Sequence, residues 1–264
     1  MRSRRALSSA GVLGLLALSA TACSGEASRL GMPEPISDQA ERMLQLWQGS
    51  WIAAFAVGAV VWGLIIWAVL FHRKRSDDLP PQVRYNMPIE ILYTAVPFVI
   101  IAVLFYFTAR DEDYVEKLTK DPAVTVDVTG FQWSWKFDYV EKVGGQEKTV
   151  ASVTGVPVAP NNPTGGKPVM TIPAGQKVRV RLHANDVIHS FWVPALLYKK
   201  DIMPGYLVNE FEFTANKQGT YEGRCAELCG VDHSRMLFQL RVVSPEQYKS
   251  FIDEAKAKAA GGAQ

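Results

Sequence analysis

The hydrophobic pattern changes three times along the chain. Ala10 to Ala22 is an apolar run behind Arg2, Arg4 and Arg5. It falls short of the roughly 20 residues a membrane span needs and reads as an export signal over residues 1–22. Residues 23–41 are polar, carry Gly31, Pro33 and Pro35, and read as a linker. At its end, Asp38-Gln-Ala-Glu41 has capping-box spacing. No charge then occurs from Met43 to Phe71, nor from Ile91 to Ala109. Uncharged runs of this length predict a transmembrane helical hairpin over 42–110, with spans at about 49–72 and 90–109. Trp47, Trp51, Trp67, Tyr93 and Tyr106 lie near the ends of these runs, where aromatic belts form.

Beyond Asp121 the period becomes two. Residues 123–129, 177–183, 207–213 and 236–243 alternate apolar with polar, which predicts half-buried antiparallel strands. Turn clusters such as Val143-Gly-Gly, Pro173-Ala-Gly175 and Met203-Pro-Gly205 separate them, and many short strands argue for a sandwich or barrel over 111–245. The Gly/Pro/Asn-rich stretch 142–170 is expected to be an insertion forming an elaborated surface hairpin. Residues 246–264 read as a terminal helix with a loose tail.

Charge assigns sides. The loop 72–89 holds Arg73, Lys74, Arg75 and Arg84 against Asp77 and Asp78. By the positive-inside rule it is cytoplasmic, so the strand-rich domain belongs on the outer face of a plasma membrane. The chain has 28 Lys+Arg against 26 Asp+Glu. That balance gives no footprint for nucleic acid and no long-range steering field. There is no phosphate-binding loop, no nucleophile elbow and no c-type haem attachment motif.

One dense cluster remains: Cys225, Glu227, Cys229, His233 and Met236, within twelve residues. Thiolate, thioether and imidazole together suit copper. Zinc would favour a closed four-ligand set without Met. Two bridging thiolates with further donors can hold two copper ions, which requires a second imidazole. Of the other histidines, His72 lies at the cytoplasmic end of the first span and His183 on an alternating strand. His189, in Asp186-Val-Ile-His189-Ser, is the candidate. The rival for Cys225 and Cys229 is a disulfide, which an oxidising compartment permits but which leaves His233 and Met236 unexplained. A catalytic thiol would want one activated Cys with a base. Ala20-Thr21-Ala22-Cys23 resembles a bacterial lipoprotein cleavage box, with Cys23 as the first mature residue. The alternative is an ordinary signal with an incidental Cys. Glu90, beginning the second span, reads either as a solvated carboxylate at a helix N-terminus or as a proton inlet.

Cys225-x-Glu227-x-Cys229-x-x-x-His233-x-x-Met236, with Asp186-Val-x-His189-Ser upstream, resembles subunit II of the haem–copper cytochrome c oxidases. The likeness covers the chain from about residue 40. It implies a two-helix membrane anchor and a cupredoxin-like Greek-key sandwich carrying a dinuclear copper A centre. Cys225 and Cys229 would bridge two copper ions. His189 and Met236 would complete one ion, and His233 with the Glu227 carbonyl the other. The Glu227 carboxylate would reach an interface magnesium shared with subunit I. Trp133, in Gly130-Phe-Gln-Trp-Ser-Trp135, matches the tryptophan that admits the electron; without the family match both tryptophans read as sheet aromatics. Trp135 is expected to be structural. Asp138 and Asp186 fall at acidic docking positions, and Glu90 at the mouth of a proton path.

The implied function is that of subunit II of an aa3-type oxidase. Electrons from cytochrome c, or from a membrane-bound cytochrome c of a cytochrome bc complex, pass through copper to haem a in subunit I. There oxygen is reduced at a site containing copper B, and protons are pumped. Subunits I and III are the expected partners. The balanced charge and the long 142–170 insertion suggest a tethered donor, as in high-GC Gram-positive bacteria. Three rivals stand beside this reading. A quinol oxidase subunit lacks the copper ligands. Nitrous oxide reductase needs a large further domain. A membrane-anchored copper-delivery module uses accessible sites.

Overall fold

The computed structural model describes residues 25–79, 81–157, 166–205 and 207–261. The expected signal peptide and Cys23, and part of the 142–170 insertion, lie outside the described residues. The chain divides into two units, one of residues 45–114 and one of the remainder.

The first unit is built from helix α1, Asp38–Phe71, whose first residues belong to the second unit, and helix α2, Met87–Val115. At about 1.5 Å per residue both exceed the ~30 Å hydrocarbon thickness of a bilayer. Both are long and apolar enough to cross a membrane. Their surfaces invert the soluble pattern: Ile52, Phe55, Val60, Trp62, Phe98 and Phe105 all face outward. Such a surface marks a face covered by lipid or by other protein. α2 opens with a reciprocal cap, in which Asn86 O accepts the Glu90 N–H at 3.0 Å and Glu90 Oε1 accepts the Asn86 N–H at 2.8 Å.

α1 starts differently from expectation. Its cap is Ser37, whose Oγ accepts the Ala40 N–H at 3.1 Å. Asp38 instead accepts from the Asn216 side chain. The linker reading also needs correcting at its end. Ile36 is buried, its N–H reaches Ala195 O at 3.2 Å, and its carbonyl accepts the Asn216 N–H at 2.7 Å. Pro35 and Ser37 are buried beside it and Ser37 bridges to Ala215, so a short docked stretch ends a segment that is polar on average.

The second unit is a sandwich of two five-stranded sheets. One has the order β3-β2-β1-β5-β8, made by β1 (Val124–Phe131), β2 (Ser134–Val143), β3 (Gln146–Thr154), β5 (Lys177–Ala184) and β8 (Asn209–Thr214). The other has the order β4-β10-β9-β6-β7, made by β4 (Val169–Pro173), β6 (His189–Val193), β7 (Tyr198–Ile202), β9 (Gly219–Cys225) and β10 (Leu237–Val243). Alternate residues turn inward. Val126, Val128, Val180 and Leu182 from one sheet meet Met170, Ile172, Phe238 and Leu240 from the other. Trp135, Phe191 and Phe238 stack edge and face at 4.8–6.0 Å between centroids.

Not every pairing is antiparallel, as the alternation had suggested. β1 runs parallel to β5, and β10 parallel to β4. Alternation reports which face is buried and carries no information about the direction of a neighbour. Part of the 142–170 stretch forms the β2–β3 hairpin, which turns at Gly144-Gly145, both at positive φ. Glycine tolerates that conformation without steric cost. Helix α3, Pro245–Gly261, is capped by Ser244 and Gln247 and packs Tyr248 and Phe251 near Tyr139.

Candidate metal centre

Three strand ends and one loop build the site. β6 starts at His189, β9 ends at Cys225, and the chain returns to β10 just after Met236. The Cys225 N–H donates to Met236 O at 3.0 Å and closes the loop between them. Inside it, a 3-10 turn over His233–Arg235 carries His233 back toward the thiols. The Ala226 N–H donates to Ser190 O at 3.0 Å and ties the loop to β6. Gly130 lets His189 lie close, since a Cβ there would sit 3.1 Å from the imidazole.

The donors converge. Cys225 Sγ and Cys229 Sγ are 3.8 Å apart, and both thiols are free. His189 Nδ1 is 3.9 Å from Cys225 Sγ, and the Glu227 carbonyl accepts from that thiol at 3.2 Å. On the other side, His233 Nδ1 and Met236 Sδ lie 3.5 and 3.8 Å from Cys229 Sγ. With metal–donor distances of about 2.0–2.3 Å, two ligands of one ion stand about 3–4 Å apart, so these separations fit shared metal ions. The chemistry fits as well. Two thiols, two imidazoles and a thioether form a soft set suited to copper. His189 and Met236 are fully buried, and both thiols nearly so.

The electrostatics prepare the thiols unequally. Burial alone would raise Cys225, but His189, the backbone of Glu227 and Ser190, and His233 outweigh it and bring its pKa down to about 7. Cys229 is pushed up to about 12 by burial and by the neighbouring Cys225 charge. The two share one easily lost proton, and the second resists. Burial opposes a proton on His189, yet Cys225 and Asp186 hold its pKa above the ordinary imidazole value.

Asp186 is doing something other than display a charge for docking. Its Oδ1 meets His189 Nε2 at 2.8 Å, and its Oδ2 accepts the Gln132 N–H at 2.7 Å. Burial would raise its pKa, but these contacts and the Val187 N–H hold it below the usual carboxylate range. An imidazole that donates Nε2–H to a carboxylate presents its Nδ1 lone pair inward, the usual arrangement behind a metal-bound histidine. The Asp-x-x-His spacing carries that signal in the sequence. Gln132 carries none: its amide Nε2 donates to Cys229 O at 2.8 Å, a contact made only by the fold.

The other candidates distribute as follows. Trp133 is half-buried beside the cluster, and its indole N–H donates to the same Cys229 carbonyl at 3.1 Å. Trp135 is wholly buried in the core, with its N–H 3.3 Å from Met236 O. Asp138 is held by Lys136 at 2.8 Å and Ser152 at 2.6 Å. The Glu227 residue is exposed. His183 faces away from the core, 3.7 Å from Asp127, and His72 lies against Trp67, so neither joins the cluster. Glu90 belongs to the helical unit.

Residues 124–243 match the family described as cytochrome C oxidase subunit II, periplasmic domain. The chain is 48% identical to a probable cytochrome c oxidase subunit 2 of Streptomyces avermitilis, over 98% of this chain and 89% of the relative. It is 38% identical to a cytochrome c oxidase subunit 2 of Mycobacterium tuberculosis, over 96% and 82%. Among solved structures, the periplasmic domain of subunit II of cytochrome oxidase of Bradyrhizobium japonicum is 33% identical, covering 53% of this chain and 99% of that one at a TM-score of 0.44.

Proposed function

The chain belongs to the cytochrome c oxidase subunit 2 family, and from that premise we propose that it is the electron inlet of an aa3-type oxidase. It is a membrane subunit that works with other oxidase subunits. In this reading it accepts electrons from cytochrome c, or from a membrane-bound cytochrome c, at a dinuclear copper centre. It passes them to haem a in subunit I, where oxygen is reduced at the copper B site and protons are pumped. The strand-rich domain faces the outer side.

The observation that carries the proposal is the convergence of buried His189, Cys225, Cys229 and Met236 with half-buried His233 on separations of 3.5–3.9 Å. Bound copper would supply one-electron redox chemistry there. Cys225 and Cys229 would be shared between two ions. His189 and Met236 would complete one, and His233 with the Glu227 carbonyl the other. Strand ends hold His189, Cys225 and Met236, and backbone hydrogen bonds tie down the loop that carries the rest, so little rearrangement would accompany a change of charge. The exposed Glu227 carboxylate suits a hard cation, here a magnesium ion shared with subunit I.

Trp133 is the proposed electron port. Its ring reaches the surface while its N–H rests on the carbonyl of a ligand residue. Leu228 and Val231, strongly exposed on the ligand loop, offer an apolar docking rim in a domain with little net charge. Glu90 is the proposed entrance of the proton path, and its capping bond to Asn86 sets the carboxylate at the start of α2.

The competing reading is a membrane-anchored copper-delivery module. Burial of the donors favours electron transfer over metal release. The test uses the full chain, purified in detergent and loaded with copper, with Cys229→Ser as control. Two copper ions per chain sharing one unpaired electron in the paramagnetic resonance spectrum, lost in the control, are expected. One copper with a mononuclear spectrum, or none, would overturn the assignment.

A further inference from the structure

We propose that Gln132 is a positioning residue for the metal centre, joined by hydrogen bonds to both of its halves. The inference rests on the copper reading above. The donors come from two separate stretches: His189 from the start of β6, the others from the end of β9 and the loop that leads to β10. Residue 132, in the β1–β2 turn, touches each. Its backbone N–H holds Asp186 Oδ2 at 2.7 Å, and the other oxygen of that carboxylate holds His189 Nε2 at 2.8 Å. Its side-chain Nε2 holds the Cys229 carbonyl at 2.8 Å.

Three features argue that this grip is built for the site. A surface glutamine ordinarily spends its donors on water and keeps its rotamer freedom. This one is directed onto a backbone carbonyl. A carbonyl oxygen has two acceptor positions, and Trp133 Nε1 takes the other at 3.1 Å, so the Cys229 peptide is fixed from two sides. Finally, the next residue is Gly230. A Cβ there would lie 3.2 Å from Gln132 Nε2 and 3.0 Å from Trp133 Nε1, so a side chain would push both donors away.

Fixing the Cys229 peptide fixes where its Cα–Cβ bond sets out and so limits where its Sγ can reach. Removing the amide should therefore disturb the sulfur shared by the two metal ions while leaving the backbone link to Asp186 intact. Partners behind a metal ligand commonly contribute about 10- to 100-fold in metal affinity.

The experiment uses the copper-loaded full chain in detergent, with Gln132→Leu and Gln132→Glu. Leucine removes the donor. Glutamate keeps the shape but sets an acceptor against a carbonyl, so its effect should be the larger. Copper hyperfine splitting and the rate of copper loss to a chelator are read, together with the melting temperature of the metal-free chain. Both variants should still bind two copper ions. Their hyperfine pattern should become uneven, copper loss should accelerate about tenfold, and metal-free melting should stay near wild type. Wild-type hyperfine and copper loss in both variants would overturn the proposal. So would a lowered metal-free melting temperature with unchanged spectra, which marks a purely structural role. If the wild-type chain itself fails to hold two copper ions sharing an electron, the copper reading falls instead.

Discussion

Gly223→Ala should destabilise the strand domain, although the same exchange in an exposed strand would mildly favour folding. Gly223 is buried in β9, directly paired with Phe238 of β10. A Cβ at 223 would stand 2.2 Å from Phe238 Cζ and 2.3 Å from Cε2, where ordinary contact begins near 3.4 Å. The ring must therefore retreat by more than 1 Å. It has nowhere to go. Trp135, Phe137 and Phe191 hold it at centroid distances of 5.1, 5.6 and 4.8 Å. Overpacking a dense core costs about 1–3 kcal/mol, and this confinement argues for the upper end. For a domain of this size, about 3 kcal/mol corresponds to a loss of roughly 6–12 °C in melting temperature. The assay is thermal unfolding of the full chain in detergent, followed by tryptophan fluorescence. Gly223→Ala/Phe238→Leu completes a double-mutant cycle, in which the smaller side chain should recover part of the loss. A Gly223→Ala melting temperature at or above wild type would refute the argument, because the sign itself depends on the ring being trapped.

Three further outcomes are expected. Glu212 is fully buried and accepts from Arg179 at 2.7 Å and from the Thr119 N–H at 3.0 Å. Glu212→Ala should cost about 3 kcal/mol in thermal unfolding, the low end for a broken buried pair because Glu210 lies 3.6 Å from Arg179; Glu210→Ala should cost under about 1. In the metal-free chain, thiolate absorbance should report one thiol titrating near pH 7 and a second far above it. Since the Cys225 pKa is lowered on folding, its contribution to stability is present above the unfolded value near 9 and is lost as pH falls toward 7. Cys229, raised on folding, contributes below about 9 and loses its contribution as pH rises toward 12; a metal-free melting temperature independent of pH across this range would contradict both. Trp133→Leu should slow reduction of the oxidase by cytochrome c at least tenfold, while copper content and the resonance spectrum remain, as measured by stopped-flow. Unchanged reduction would remove Trp133 from the electron route.

Much of this protein was legible in one dimension. Two long uncharged runs can satisfy the backbone in lipid only as helices, so the hairpin followed from composition. Period-two alternation placed Val126, Val180 and Leu240 in the core, because a strand sends successive side chains to opposite faces. The spacing from Cys225 to Met236 announced a soft-metal cluster, and the need for a second imidazole pointed to His189. Ser37 as the cap of α1 was missed because Asp38-x-x-Glu41 offered an equally good signal one residue later. Only backbone geometry decides between them.

Sequence alone determined what depends on local periodicity and on the chemistry of near neighbours: the membrane helices, the inward faces of the strands and the donors of the ligand loop. Tertiary structure decided what depends on segments distant in the chain. It set β1 parallel to β5, since alternation is blind to strand direction. It set the Asp186 carboxylate against the backbone N–H of Gln132, 54 residues away. It brought the amide of Gln132 onto the carbonyl of Cys229, 97 residues away. A hydrogen bond of that kind leaves no period and no spacing in the sequence, because its two ends meet only when both sheets have packed.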